Sequence, residues 1–199
     1  SFVSVTGAQP RKRLGALLEG DGAAAFVSEV ASLPVPGPHD WTGPYDLLIT
    51  GVGGTGVVTV GALVAMAAHL EGKPASVLDF MGFAQKGGAV LSFVRFADRP
   101  ERLHQVRIDA QQADALLACD LVVGASAEAL LTVRRDRTRV LANIHEVPVA
   151  DSLRNPDADL HRGELLAKLR YAAEAVETLD AQALAEAGLG DTISSNIVA

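Results

Sequence analysis

A glycine-rich segment follows the first strongly apolar run of the chain and limits the possible folds more than any other feature. The run Tyr45–Thr50 leads into Gly51-Val-Gly-Gly-Thr-Gly56 and then into a long apolar, alanine-rich stretch, 57–70. This order predicts a strand, a glycine turn and a helix. Glycine permits positive φ and lets another surface approach the backbone amides closely. Because those amides lie at the positive end of a helix, the segment predicts a phosphate or other anion site.

The same segment also satisfies the dinucleotide-binding fingerprint G-x-G-x-x-G, through Gly51, Gly53 and Gly56. Asp79 lies about 20 residues further on, where that fingerprint places a ribose-binding carboxylate. However, the eight residues 81–88 are too few for the helical crossover that a parallel neighbouring strand requires. A nicotinamide-binding oxidoreductase domain is therefore the alternative hypothesis, and Asp79 is better interpreted as a cap of the next turn.

Composition excludes several classes of function. The 199 residues are 49% apolar, which suffices for one full domain with a real core. No apolar run is long enough to cross a bilayer and no export signal is recognisable, so a cytoplasmic protein without a membrane partner is expected. The net charge of −7 argues against nucleic-acid binding. Cys119 is the single cysteine and the histidines lack metal-binding spacing, so no iron–sulfur cluster or metal site is predicted within this chain.

The apolar pattern predicts alternating strands and helices. Predicted strands are 45–50, 75–80, 89–97, 120–124, 138–143 and 176–180, and predicted helices are 56–71, 109–117, 126–133, 162–175 and 181–187. This alternation indicates an α/β fold, a three-layer α/β/α sandwich on a largely parallel but mixed sheet, with a Rossmann-like glycine turn after the first strand. Strand 89–97 is expected to run antiparallel or to lie away from its predecessor. Residues 1–44 predict an N-terminal extension with a proline-rich linker, and 45–199 the compact domain.

Six short motifs occur in a particular order along the domain. They are Gly51–Gly56, Ala84-Gln-Lys-Gly-Gly88, a strand ending in Val94-Arg95, Ala113-Asp114 before a predicted helix, Asp120-Leu-Val-Val-Gly-Ala125 and Ser195-Asn196. In this order and spacing they resemble the gamma domain of the 2-oxoacid:ferredoxin oxidoreductases. The turn threonine and the segment 78–88 are most similar to indolepyruvate ferredoxin oxidoreductase. Compared with that family the chain looks truncated at its C-terminus, and Ser1-Phe-Val3 resembles the residues after a cluster-binding segment, so a fragment of a longer polypeptide is expected.

The resemblance implies one module of a thiamine-diphosphate-dependent enzyme that oxidatively decarboxylates a 2-oxoacid to an acyl-CoA and passes electrons to ferredoxin. In such enzymes other domains or subunits hold the thiamine diphosphate, Mg²⁺ and [4Fe–4S] clusters, and these would be the partners of this chain in a homo-oligomeric assembly. The gamma domain borders the active-site and coenzyme A region. No catalytic or metal-binding residue is assigned to this chain, and the fragment alone is expected to be inactive.

Candidate cofactor-binding residues lie in two glycine-rich loops. They are Gly51, Gly53, Gly54, Thr55, Gly56, Gln85, Lys86, Gly87 and Gly88. For the first loop, the competing interpretation is a turn that needs glycine for close helix–strand packing. For Lys86, the competing interpretation is a solvated lysine on a turn. A third hypothesis for the whole chain is a purely structural packing domain whose glycine turn contacts only protein.

Other residues have structural interpretations. Ser126 is predicted to cap a helix that begins after it, and Cys119 to be a buried, inert thiol. A candidate contact patch with another domain or subunit consists of Arg95, Arg99, Arg102 and Arg107, because arginine is enriched at interfaces.

Overall fold

The computed structural model describes residues 28, 31–32, 34, 37, 43–81, 88–104, 107–145, 161–190, 192 and 195–198. Most of the predicted extension 1–44 lies outside these residues, and so does the candidate loop 82–87. The elements described below belong to the predicted compact domain.

Strands and helices alternate along this domain. The strands are β1 (Tyr45–Val52), β2 (Ala75–Met81), β3 (Ala89–Phe96), β4 (Ala115–Ala118), β5 (Arg139–Asn143) and β6 (Ala175–Leu179). The helices are α1 (Val57–Leu70), α2 (Leu121–Gly124), α3 (Ala127–Thr132), α4 (Arg162–Ala172), α5 (Ala181–Leu189) and α6 (Ser195–Val198), and a 3₁₀ helix covers Pro100–Arg102. Ser126 accepts a hydrogen bond from the Ala129 N–H at 3.3 Å, which confirms it as the cap of α3.

The six described strands form one sheet in the order β2-β3-β1-β4-β5-β6. β1, β4, β5 and β6 are parallel to their neighbours in that series, whereas β3 is antiparallel to both β1 and β2. Of the described strands, β3 therefore runs against the other five. This arrangement confirms the predicted mixed, largely parallel sheet and the antiparallel orientation of the third strand.

Helices cover both faces of the sheet, which confirms the three layers. Successive side chains of a strand point to opposite faces. Leu48 accordingly packs in a core that includes Leu116 of β4 and Leu169 of α4, on the side of α2, α3 and α4. Its neighbour Ile49 packs on the other face against α1, where Val57 lies.

Helix α1 is apolar along most of its length, with Thr59 and His69 as its polar residues. Its inner side packs on β1, β2 and β3 through residues that include Val60 and Gly61. Its outer side leaves Leu63, Met66 and Leu70 exposed, the last at 80%. None of the described helices combines the length and apolarity that a membrane crossing requires. The outer side of α1 is thus an exposed apolar face of the domain.

The region between β3 and β5 differs from the prediction. The predicted helix 109–117 overlaps strand β4, which covers Ala115–Ala118, and most of the predicted strand 120–124 forms helix α2. β4 pairs in register with Leu47–Thr50 of β1, so sheet pairing overrides the helix-favouring sequence of β4. Asp120 then starts α2, because its Oδ1 accepts a hydrogen bond from the Val123 N–H at 2.8 Å.

A buried ion pair joins β1 to β3 near the amino end of β1. Asp46 and Arg95 are direct neighbours across the two strands, and both Nε–Oδ1 and Nη2–Oδ2 distances are 2.6 Å. The hydrogen bond with Asp46 raises the pKa of the Arg95 guanidinium, which keeps it charged in the core. The predicted contact patch is therefore wrong for Arg95. Arg102 likewise pairs within the chain, with Asp98 at 3.2 Å.

Asp114 extends this network to β4 and β5. Its Oδ2 accepts from the Asp46 N–H at 2.8 Å and its Oδ1 from Arg137 Nε at 2.6 Å. The sequence placed Asp114 before a helix, but it precedes strand β4 because the following residues pair with β1. The amino ends of β1, β4 and β5 are therefore held together by charges that are paired inside the domain.

Asparagine in place of Asp46 is expected to destabilise the domain by about 3–5 kcal/mol, because the buried Arg95 guanidinium would lose its counter-charge. Urea denaturation measures this loss as the change in the free energy of unfolding. The matched control is Asp136→Asn, which breaks an exposed pair with Arg134 and is expected to cost less than about 1 kcal/mol. Equal losses in the two variants would show that the buried pair is not a principal constraint.

Candidate functional site

The carboxyl ends of β1, β4 and β5 lie at one edge of the sheet, the edge at which open α/β sheets bind ligands. α1 leaves β1 on one face and α2 leaves β4 on the other, so the two connections diverge between these adjacent strands. A cavity of about 410 Å³ lies at this point. It is lined by the glycine turn after β1, by the residues after β4, by the end of β5 and by residues of α5 and α6.

The glycine turn closes over the last residue of β1. Both the N–H and the Oγ1 hydroxyl of Thr55 donate to the Val52 carbonyl, at 3.2 and 2.7 Å. Gly54 and Gly56 have φ values of 88° and 89°, which lie in the region that favours glycine. A Cβ built on either glycine would meet no atom within 4 Å, so backbone conformation and not crowding requires glycine at these positions.

Gly51 has a different role, because a side chain there would collide with its neighbours. A Cβ at this position would lie 2.6 Å from Cγ2 of Val57 and 3.2 Å from Cβ of Cys119. Gly51 therefore lets the start of α1 approach the end of β4. Close packing therefore accounts for Gly51, whereas Gly54 and Gly56 form an open turn, and a cofactor contact at the segment stays a prediction.

The first turn of α1 begins with backbone donors that have no acceptor within the helix itself. Gly56 caps the helix without a side-chain hydrogen bond, and the first intrahelical bond runs from the Val60 N–H to its carbonyl at 3.0 Å. The N–H groups of residues 57–59 consequently have no acceptor within the helix. The first turn contains no acidic residue, so the positive end of the helix dipole is not neutralised by the helix itself. Thr59, in this turn, lines the cavity.

The second glycine-rich loop reaches the first through its last residue. The Gly53 N–H donates to the Gly88 carbonyl at 2.8 Å, which places the start of β3 beside the turn. Gln85, Lys86 and Gly87 lie outside the described residues, so their contribution stays a prediction. The two predicted loops therefore meet at Gly53 and Gly88.

A family model described as "Pyruvate ferredoxin/flavodoxin oxidoreductase" matches residues 46–199, which include the described sheet except for Tyr45, the first residue of β1. The chain belongs to this family. Family membership confirms the resemblance that the order of motifs indicated.

Individual members of the family are only distantly similar to the chain. It is 33% identical over 78 residues to indolepyruvate oxidoreductase subunit IorB of Pyrococcus horikoshii, covering 39% of this chain and 37% of that relative. Pyruvate oxidoreductase subunit PORC of Thermotoga maritima has a TM-score of 0.55 at 17% identity, with 77% and 71% of the two chains covered. A 2-oxoglutarate:ferredoxin oxidoreductase of Magnetococcus marinus, solved with 2-oxoglutarate, coenzyme A and succinyl-CoA bound, has a TM-score of 0.54 at 13% identity, with 78% and 23% covered. At these identities the two structures show a shared fold.

The strand order of this chain does not favour dinucleotide binding at the glycine turn. β3 lies between β1 and β2, so the carboxyl end of β2 is about 10 Å from β1, two strand spacings away. Asp79 lies within β2 opposite Ser92 of β3, and its Oδ1 is buried without a hydrogen-bond partner among the described residues. The expected ribose carboxylate is therefore not beside the glycine turn. The turn that Asp79 was predicted to cap lies outside the described residues.

Cys119 and Asp120 form the wall of the cavity after β4. Cys119 is buried, as predicted, and burial, followed by the charge of Asp120, raises the pKa of its thiol to about 12. An iron–sulfur cluster needs several cysteine thiolates, so this one thiol does not by itself form a cluster site. In the described part of the chain, no three His, Cys, Asp or Glu side chains are grouped to hold a metal ion.

Two buried asparagines complete the site, and sequence reasoning assigned a role to neither. Asn143 Nδ2 donates to the Cys119 carbonyl at 3.2 Å, while its Oδ1 accepts from the Ala181 N–H at 3.1 Å. It therefore joins the end of β5 to the end of β4 and the start of α5. Asn196 Nδ2 donates to the Thr55 carbonyl at 2.7 Å and joins α6 to the glycine turn. The position of Asn143 at the end of a predicted strand was a usable signal, whereas Asn196 was noted only as part of a motif.

Alkylation of Cys119 by iodoacetamide at pH 8 is expected to be at least ~100-fold slower in the native protein than in urea. A thiol with a pKa of about 12 is only ~0.01% thiolate at this pH, and thiolate is the reactive species. Mass spectrometry of quenched samples measures both rates. Comparable rates in the two conditions would show that the thiol is accessible and ionised in the native site.

Proposed function

We propose that this chain is the gamma-domain module of a thiamine-diphosphate-dependent 2-oxoacid:ferredoxin oxidoreductase, which oxidatively decarboxylates a 2-oxoacid, releases an acyl-CoA and passes electrons to ferredoxin. The observation that carries this proposal is the family match over residues 46–199. Indolepyruvate is the 2-oxoacid that we propose, because the turn threonine and the segment 78–88 resemble indolepyruvate enzymes and one relative bears that name. The chain spans 37% of that relative, so the activity is assigned to a larger assembly.

Within that assembly, we propose that the cavity at the carboxyl edge binds the diphosphate of coenzyme A. The open amides of residues 57–59 and the absence of an acidic residue in the first turn of α1 suit an anionic ligand. The volume of the cavity, about 410 Å³, lies in the usual range for small-molecule pockets. The proposed contacts are Gly53, Gly54, Thr55 and Gly56, with Gln85, Lys86, Gly87 and Gly88 from the second loop, while Gly51 acts through packing.

Thiamine diphosphate fits this cavity less well than coenzyme A. Its diphosphate is held in enzymes of this kind through Mg²⁺, for which carboxylate and carbonyl oxygens are the usual ligands. Among the described lining residues Asp120 alone is charged, and its Oδ1 is already used by the Val123 N–H. A ligand whose phosphates meet backbone amides directly therefore suits the site better. Thiamine diphosphate, when bound elsewhere in the assembly, would supply the decarboxylation chemistry.

The role of this chain in the reaction is then to bind and orient a substrate. The described cavity contains no pair of side chains placed for proton transfer, so the chain holds a substrate for chemistry that partner domains or subunits perform. We place these partners, which would carry the thiamine diphosphate, Mg²⁺ and [4Fe–4S] clusters, against the exposed apolar face of α1. The complex would be cytoplasmic and homo-oligomeric, with ferredoxin as its electron acceptor.

The first test compares ligands in chemical unfolding of the chain. Coenzyme A, NAD, NADP and thiamine diphosphate with Mg²⁺ are each added at ~100 times a plausible dissociation constant, where binding stabilises a protein by about 2.7 kcal/mol. We expect stabilisation by coenzyme A alone. Stabilisation by a nicotinamide cofactor would favour the dinucleotide hypothesis, and no stabilisation by any ligand would favour a purely structural domain.

Two substitutions at Thr59 test the location of the site. Thr59→Asp adds a negative charge to the first turn of α1, which is expected to raise the unliganded stability by about 0.3–1 kcal/mol while abolishing stabilisation by coenzyme A. Thr59→Asn is the control of matched size without the charge, and it is expected to retain the effect of coenzyme A. Chemical unfolding with and without coenzyme A measures both. If the aspartate variant responds to coenzyme A as the asparagine variant does, the anion binds elsewhere.

A further inference from the structure

The Thr55–Gly56 peptide group is held by a residue distant in sequence. The Thr55 carbonyl accepts a hydrogen bond of 2.7 Å from Nδ2 of Asn196, which lies 141 residues further along the chain. Asn196 is only 6% exposed, and its helix α6 contacts both α1 and α5. The bond is therefore formed by an enclosed side chain on a helix that packs against the rest of the site.

Local sterics do not determine the orientation of this peptide group. In a trans peptide the carbonyl and the N–H point to opposite sides, so a rotation of the whole group exchanges their directions. Such a rotation changes ψ of Thr55 and φ of Gly56. Glycine populates positive and negative φ about equally, and a side chain at Gly56 would meet nothing within 4 Å. Neither strain nor crowding at Gly56 prevents the rotated form.

The preceding peptide group is already fixed, which leaves this one as the movable part of the turn. The Thr55 N–H and Oγ1 are both bonded to the Val52 carbonyl. On the other side, α1 is regular from Val57, and its first hydrogen bond is made by Val60. The Thr55–Gly56 group connects these two fixed segments, and the hydrogen bond from Asn196 holds its carbonyl.

We propose that Asn196 is a positioning residue that locks the Thr55–Gly56 peptide group and thereby fixes the direction of the Gly56 N–H at the anion site. This inference rests on the proposed function, because it assumes that the turn binds an anion such as the diphosphate of coenzyme A. In the rotated form the Thr55 carbonyl would take the direction now held by the Gly56 N–H. A donor of the turn would then be replaced by an oxygen that repels the anion.

The lock can be observed without any ligand in ¹H–¹⁵N correlation spectra of protein labelled selectively at glycine. Asn196→Ala removes the donor, and Asn196→Asp replaces it with an acceptor of the same size. We expect both variants to shift or broaden the Gly56 cross-peak, which is identified by its loss in Gly56→Ala. Thr138→Val is the control, since it removes a buried side-chain bond to the Ala113 carbonyl far from the turn. It is expected to leave the Gly56 cross-peak in place.

Titration calorimetry with coenzyme A then tests the consequence for binding. We expect the dissociation constant to rise at least ~10-fold in both Asn196 variants and to stay unchanged in Thr138→Val. An unchanged Gly56 cross-peak in both Asn196 variants overturns the lock, and so does a shifted cross-peak with unchanged affinity. If the unsubstituted protein binds no coenzyme A, the proposed function fails, and the Gly56 cross-peak alone decides whether the lock exists.

Discussion

Strand β3 lies between β1 and β2 and runs against both, and this arrangement determines what the glycine turn can bind. Residues 82–88 are too few for the helical crossover that a parallel neighbour of β2 would need, and β3 runs antiparallel to β2 and takes the place beside β1. A dinucleotide-binding fold needs that place for the strand with the ribose carboxylate. Asp79 is instead on β2, the outer strand of the described sheet, while the first turn of α1 keeps N–H groups that have no acceptor within the helix. The same G-x-G-x-x-G sequence therefore lacks the neighbouring ribose carboxylate in this topology.

The two ends of the sheet are held together by different chemistry. At the amino end, Asp46 and Asp114 are paired with arginines, and the Asp46–Arg95 pair is buried. At the carboxyl end, the neutral side chains of Asn143 and Asn196 join the strand ends and the turn to the helices behind them. The charged side chains at the amino end neutralise one another, and the two asparagines at the carboxyl end add no net charge to the cavity. The field there is consequently set by the backbone dipoles of α1 together with Asp120, the one charged residue of the described lining.

The sequence was sufficient where local rules determine structure. The β1–turn–α1 unit could be predicted because glycine conformations and apolar periodicity are local properties, and the antiparallel β3 followed from a loop length. β4 and α2 were assigned the wrong way round, since Ala115–Ala118 favours a helix and the valines of α2 favour a strand. Pairing with β1 and the Asp120 cap reverse both preferences. The hydrogen bond of Asn196 joins residues 141 apart, and no local pattern predicts it.

Asparagine at the glycine turn suits the anion site that we propose there. The Thr55 carbonyl needs a hydrogen-bond donor, which a lysine could also supply. Because the side chain at position 196 is only 6% exposed, a charged ammonium there would carry a large desolvation cost. An aspartate of the same size would present an acceptor to that carbonyl and a negative charge to an incoming anion. Asparagine donates without either penalty. An uncharged donor at this position would thus leave the amides of the turn as the source of positive potential, as the proposed anion site requires.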